Sequence, residues 1–149
     1  MKLIIQRVTE SSVLVDGQCV GHIGKGILVL VGIHKDDKEE DVDKMVDQML
    51  HLQLWPGDEG EFSKSVIDIN GGILLVSQFT LHARPNGRRP DFSHSMGPTT
   101  AGPMFDSFVS KVKANYKPEL VQTGTFQAYM EVRLQNDGPI MITLNSFDK

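Results

Sequence analysis

Cysteine is almost absent. Cys19 stands alone among 149 residues, which rules out an internal disulfide and fits a reducing, cytosolic compartment. Long apolar runs are missing as well: the longest, Ile27 to Ile33 and Ile73 to Val76, are far too short to cross a bilayer. The opening Met1-Lys2-Leu3-Ile4-Ile5-Gln6-Arg7 breaks its apolar stretch at Gln6 and Arg7, so it reads as a first strand rather than a signal peptide. Positive charge is in deficit, with 15 Lys and Arg against 19 Asp and Glu for a formal charge of −4. That counts against a protein gripping a long phosphate backbone, but not against contact with a short nucleic-acid end.

Familiar hydrolytic machinery is missing too. His22, His34, His51, His82 and His94 are scattered through different elements, with no pair at metal-ligand spacing. There is no Gly-x-Ser-x-Gly elbow, and Cys19 lies in an early hairpin. The glycines of Gly21-His22-Ile23-Gly24-Lys25-Gly26 lie between strands, so they read as turn glycines and not as a phosphate cradle. No metal or organic cofactor is indicated.

The residues that remain predict one domain over 1–149, of α+β class: a mostly antiparallel sheet curled toward a barrel, with two packed helices. Leu3 to Val8 and Ser12 to Val15 read as strands, Asp16-Gly17 as a two-residue hairpin, and Gln18 to Ile23 as the return. The β-branched run Ile27 to Ile33 predicts a central strand. From Asp36 to Leu54 the period becomes helical, with Val42, Met45, Val46, Met49 and Leu50 on one face and acids crowding the first turns. Trp55 to Gly60 reads as a loop, Ile73 to Leu81 as a strand, and His82 to Gly102 as a long functional loop. A second helix is expected near Pro103. Thr125 to Leu134 and Ile140 to Leu144 are expected strands joined by a turn at Asn136-Asp137-Gly138-Pro139.

Two segments carry chemistry. The strand from Ile73 begins apolar on both faces and turns polar at Ser77-Gln78. Burying such groups unpartnered costs about 1–3 kcal/mol each, so they either bond to backbone or line a cavity. Asn136-Asp137-Gly138-Pro139 is a stiff turn whose proline removes a backbone donor; its residues alone also allow a plain connection between strands. Arg84, Arg88 and Arg89 cluster in a segment with turn chemistry, either a solvated loop or a small phosphate-binding patch.

Over nearly its whole length the chain resembles the D-aminoacyl-tRNA deacylases. Ile5-Gln6-Arg7-Val8, Val15-Asp16-Gly17, Ser77-Gln78-Phe79-Thr80-Leu81, Phe126-Gln127-Ala128-Tyr129-Met130 and Asn136-Asp137-Gly138-Pro139 occur in the family's order. The Ser-Gln-Phe-Thr and Asn-x-Gly-Pro pair is the specific part. One departure is Gln127, where the family usually has glycine.

The resemblance implies an esterase that frees tRNA from D-amino acids and, more loosely, from glycine. It implies a homodimer with active sites at the subunit interface and a cis Gly-Pro turn reaching into the partner's pocket. Carried over, Gly138 and Pro139 present carbonyls to the substrate ammonium and exclude L side chains, and Arg7 holds that turn. Ser77 and Met130 line the substrate pocket, with Gln78, Phe79 and Thr80 at the reacting ester. The N–H of Phe79 or Thr80 stabilises the oxyanion. Either the tRNA 2′-OH activates water or the Thr80 hydroxyl attacks. The Arg84, Arg88 and Arg89 segment meets the acceptor end of tRNA. Two rivals stay open: a deacylase tolerant of L-aminoacyl-tRNA, favoured by a trans Gly-Pro bond, and a non-catalytic nucleic-acid-binding module.

Overall fold

Asp16 and Gly17 both take positive φ, 51° and 78°, the backbone that a two-residue hairpin demands. They fold β1 (Lys2–Val15) back on itself as β2 (Gln18–Ile23), and β3 (Gly26–Gly32) follows. The computed structural model describes residues 1–148. Beyond β3 come α1 (Glu39–His51), the ribbon β4 (Trp55–Gly57) and β5 (Gly60–Lys64), and β6 (Gly72–Ser77). A second ribbon, β7 (Arg84–Asn86) and β8 (Arg89–Asp91), precedes α2 (Pro98–Ala114), β9 (Val121–Thr123) and β10 (Glu131–Asn145).

The main sheet runs β10-β1-β3-β6-β9, with β2 paired to the distal half of β1. Pairings around β1 are antiparallel, whereas β3–β6 and β6–β9 are parallel. Central parallel strands are covered on both faces, which accounts for the unbroken apolar runs of β3 and β6. On one face, Val29, Val31, Ile73 and Leu75 meet Met45, Met49, Phe105 and Phe108 of the two helices. On the other, Val8, Val13, Ile23, Leu28, Leu74 and Val76 fill the inside of the curl. The curl nearly closes because Gly21 brings β2 onto β9: a Cβ there would sit 2.5 Å from the Thr123 carbonyl oxygen. Gly21 thus serves close approach inside a strand, not a turn.

The α+β class and near-closed barrel agree with expectation, but several local readings need correction. β1 is one continuous strand, since β10 pairs along almost all of it. α1 is shorter than the helical periodicity; its start is set by the Asp41 carboxylate, which accepts the Lys38 N–H at 2.8 Å. α2 begins at Pro98, so the proline signal was sound but belongs to an earlier proline. Trp55 is buried and starts a ribbon rather than a loop. The α-ammonium of Met1 is buried against Asp37 (2.6 Å) and Ser146 (2.7 Å), tying β1 to the segment before α1 and to the end of β10.

Gly21→Ala should destabilise the fold by about 1–3 kcal/mol, because its methyl meets main chain that cannot give way. Urea titration measures this; an unchanged midpoint would show that the β2–β9 approach is dispensable.

Candidate functional site

β6 stops pairing where Ser77 lies opposite Val31. The next N–H, of Gln78, still bonds to the Val31 carbonyl at 2.8 Å, and there the chain leaves the sheet as a single 3-10 turn, Phe79–His82. This corrects the expected strand to Leu81: Gln78, Phe79 and Thr80 sit on a tight turn. Gly32 permits it, since a Cβ there would lie 2.7 Å from that of Leu81. The His82 ring closes the far end, its Nε2 3.0 Å from the Gly32 carbonyl. Burial pushes the His82 pKa below the ordinary histidine value, so the neutral ring donates this bond.

At the start of a 3-10 turn the leading N–H groups have no intrahelical acceptor. Among the described residues neither the Phe79 nor the Thr80 N–H has a hydrogen-bond partner. Beside them opens a cavity of about 690 Å³. Ser77, Gln78 and Phe79 form its polar end; Met96, Pro98 and Ala101 at the head of α2, with Phe126, form its apolar end. Met130 and Val132 complete the wall. Aromatic rings rim the mouth: Phe79 packs edge-on against Phe92 at 5.1 Å, and Tyr129 is 97% exposed. Thr80 itself does not line the cavity, and its hydroxyl accepts from the Gln78 amide.

The segment carrying Phe126 to Met130 is a turn, not a strand, closed by the Ala128 N–H on the Thr125 carbonyl at 3.1 Å. Phe126 anchors it by stacking on Phe105 of α2 (6.1 Å). Gln127 holds φ at +65°, the left-handed region that favours glycine. That explains the family glycine at this place. The other non-glycine residues at positive φ, Asp16 and Asn70, are of types that tolerate it better.

The second motif also differs from expectation. Asn136 to Pro139 does not reverse the chain but bulges out of β10, with Gln6 opposite Met141 and Val8 opposite Asn136. The Asn136 side chain substitutes for the broken ladder: its Oδ1 accepts the Ile140 N–H (2.6 Å), and its Nδ2 donates to the Ile140 carbonyl (2.9 Å) and to Gln6 (3.1 Å). Arg7 donates from Nε to the Asp137 carbonyl (3.0 Å) and from its guanidinium to the Leu54 carbonyl (2.6 Å), with the Asp137 carboxylate 3.2 Å away. The Gly138–Pro139 peptide is cis.

Within one chain this elbow does not touch the pocket. Gly138, Pro139 and Arg7 are outside the cavity wall, and the strand between Val132 and Gly138, at about 3.3 Å per residue, spans about 15–20 Å. Arg84, Arg88 and Arg89 are exposed on and beside the β7–β8 ribbon that follows the 3-10 turn. None is in an ion pair among the described residues.

Sequence reading missed three things here. Ser95 and Phe92 of the pocket rim sit in the long segment flagged only as a functional loop. His34, His82 and His94, far apart in sequence, pack together with His34 ring centroids 5.2 and 6.1 Å from the other two. Gln6 was not linked to Asn136, a contact that only the β1–β10 register creates.

Fold and pocket together define a class: a near-closed mixed sheet, two helices on one face, and a cavity whose polar lining, with Ser77, Gln78 and Ser95, holds no nucleophile–base pair among the described residues. The family model described as D-Tyr-tRNA(Tyr) deacylase matches residues 4–145. Relatives include D-aminoacyl-tRNA deacylase of Thermosipho melanesiensis, 42% identical over 98% of this chain and 97% of that protein. Human D-aminoacyl-tRNA deacylase 1 is 43% identical over 98% of this chain and 70% of its own length. A solved structure titled c-Myc DNA Unwinding Element Binding Protein superposes with TM-score 0.93 at 42% identity, covering 97% of this chain and 98% of that one. A probable eukaryotic D-amino acid tRNA deacylase shares the fold at TM-score 0.82 and 18% identity, covering 96% and 98% of the two chains. This chain belongs to the D-Tyr-tRNA(Tyr) deacylase family.

Gln127→Gly should raise stability by about 0.5–1 kcal/mol, the relief of left-handed strain less the added freedom of the unfolded chain. Thermal unfolding checks this; a loss of stability would mean that the Gln127 side chain makes contacts outweighing its backbone cost.

Proposed function

We propose that this protein hydrolyses the ester of D-aminoacyl-tRNA, giving free D-amino acid and tRNA, as a homodimer with two composite sites. The observation that carries this reading is the unpartnered main-chain N–H of Phe79, a residue at the polar end of a cavity, with the unpartnered Thr80 N–H next to it on the same turn, in a chain of this family. Water adds to the ester carbonyl, the oxyanion is held by these donors, and the C–O bond to the terminal ribose breaks as that oxygen takes a proton. Losing one such donor in a hydrolase costs about 2.7–4 kcal/mol. Ser77 and Met130 shape the pocket around the aminoacyl group, and Gln78 orders the turn through Thr80.

Chirality is read by main chain. In this proposal the Gly138 and Pro139 carbonyls of the partner subunit receive the substrate ammonium, and an L side chain points into that backbone. Two observations support a partner's elbow. The elbow is too far along β10 to reach its own pocket. β10 is also an edge strand, unpaired on its outer side among the described residues, with Leu134 and Met141 exposed on it; such edges are places where chains pair. Arg7 and Asn136 hold the elbow in shape. Because only main chain is read, amino acids of many sizes fit, and glycine, with nothing to clash, is accepted to a degree.

The attacking water is activated with help from the tRNA 2′-OH. Thr80 is a poor nucleophile here, since its hydroxyl is paired with an amide, and an amide is no general base. Arg84, Arg88 and Arg89, free of ion pairs among the described residues, contact the phosphates of the acceptor end.

Hydrolysis of D- and L-tyrosyl-tRNA, measured side by side, tests this directly. The D ester should turn over at least about 100-fold faster, and Thr80→Val should keep most of that rate, whereas a 2′-deoxy terminal ribose should cost about 100-fold or more. Equal D and L rates would discard the main-chain chirality reading. Complete loss in Thr80→Val would make that hydroxyl the nucleophile, and binding without cleavage would leave a nucleic-acid-binding module.

A further inference from the structure

We propose that Gln127 is a specificity-determining residue, its side-chain amide reading the polar edge of the base on the terminal nucleoside of tRNA. This rests on the deacylase reading given above. Gln127 is the third residue of the turn that the Ala128 N–H closes on the Thr125 carbonyl at 3.1 Å. A positive φ at that position calls for glycine or asparagine, yet glutamine holds +65°. Backbone strain of this kind collects at functional sites, and Gln127 belongs to the cavity wall.

The amide is free for a ligand. Gln127 is exposed, and its side chain makes no hydrogen bond among the described residues. Other polar side chains of the wall are already spent: Gln78 donates to Thr80, and Ser95 donates to the Phe79 carbonyl at 2.7 Å. Ser77 belongs to the ester end, and Tyr129 brings a single hydroxyl to the mouth. Gln127 offers a donor and an acceptor side by side. Its backbone is also well placed, because the preceding Phe126 stacks on Phe105 of α2.

What the amide meets follows from the cavity. With the ester at Ser77, Gln78 and Phe79, and the acyl group facing the partner's elbow, the base is the flat group left for the apolar end. Met96, Pro98, Ala101 and Phe126 line that end, and such surfaces hold any base by its face. Choosing among bases needs a polar group at the edge, and Gln127 follows Phe126 directly. Adenine carries an amino donor beside a ring-nitrogen acceptor, the pattern that a glutamine amide meets with two bonds. The glycine usual in the family has no such group, so this reading of the edge is a property of this chain.

The test uses D-tyrosyl-tRNA ending in adenosine and the same ester ending in purine riboside, which lacks only the amino group. Wild type, Gln127→Ala and Gln127→Gly are compared by the ratio of kcat/KM for the two esters. Damage to the fold or to the ester end acts on both esters alike and cancels in that ratio. Wild type should favour adenosine about 10-fold. Both variants should bring the ratio to within about twofold of one. A ratio kept in either variant would overturn the proposal. Kept in Gln127→Ala alone, it would trace the preference to the left-handed backbone, which alanine retains and glycine relaxes. A wild type that cleaves both esters without favouring adenosine would overturn the proposal and leave deacylation standing. If wild type cleaves neither ester, the deacylase reading itself fails and takes this proposal with it.

Discussion

A single backbone bond, from the Gln78 N–H to the Val31 carbonyl, marks the place where β6 gives up its partner. Up to Ser77 the parallel ladder satisfies the main chain. Past that bond the chain turns tightly, and the following N–H groups are left without acceptors beside a cavity. A strand continued by ordinary pairing would have used those donors in the sheet. The pocket's chemistry therefore depends on where β3 stops offering carbonyls in register, and on Gly32 letting the turn pack against β3 at side-chain contact distance.

The same economy governs the elbow. A bulge in a long edge strand breaks a ladder and exposes main chain. Here the Asn136 amide takes over the lost pairs, and Arg7 bonds the Asp137 carbonyl from the neighbouring strand. Both holding groups are side chains on or beside the β1–β10 pairing, the most extensive in the sheet. A stiff main-chain feature presented from a stiff strand suits the proposed reading of substrate handedness, which ignores side-chain size. Pocket and elbow are thus built alike, each a deliberate interruption of a strand pinned by a few polar bonds.

Local chemistry made much of this legible. Asp16-Gly17 demanded a hairpin, and Val42, Met45, Val46, Met49 and Leu50 demanded a helix; both are there. The change from apolar to polar at Ser77-Gln78 allows either backbone bonding or a cavity wall, and both residues line the cavity. What could not be read was nonlocal. Alternation runs on through Phe79 and Leu81, so nothing in the pattern tells an exposed rim phenylalanine from a core one. Asn136-Asp137-Gly138-Pro139 has strong turn chemistry, yet the chain runs straight on, because a side chain replaces the hydrogen bonds a reversal would have made. Ser95 lies in a segment without periodicity, and its meaning comes wholly from the carbonyl it meets.

The central claim, that pocket and elbow of one working site come from different chains, is tested most directly by mixing subunits. Phe79→Pro removes a donor at the first position of the 3-10 turn, where the N–H has no intrahelical acceptor, and Gly138→Val disrupts an elbow whose φ is +142°. Each homodimer should be nearly inactive on D-tyrosyl-tRNA. Heterodimers isolated after co-expression with two different tags should recover about half the wild-type rate, because one of the two symmetry-related sites is then intact. Heterodimers as inactive as their parents would contradict the account.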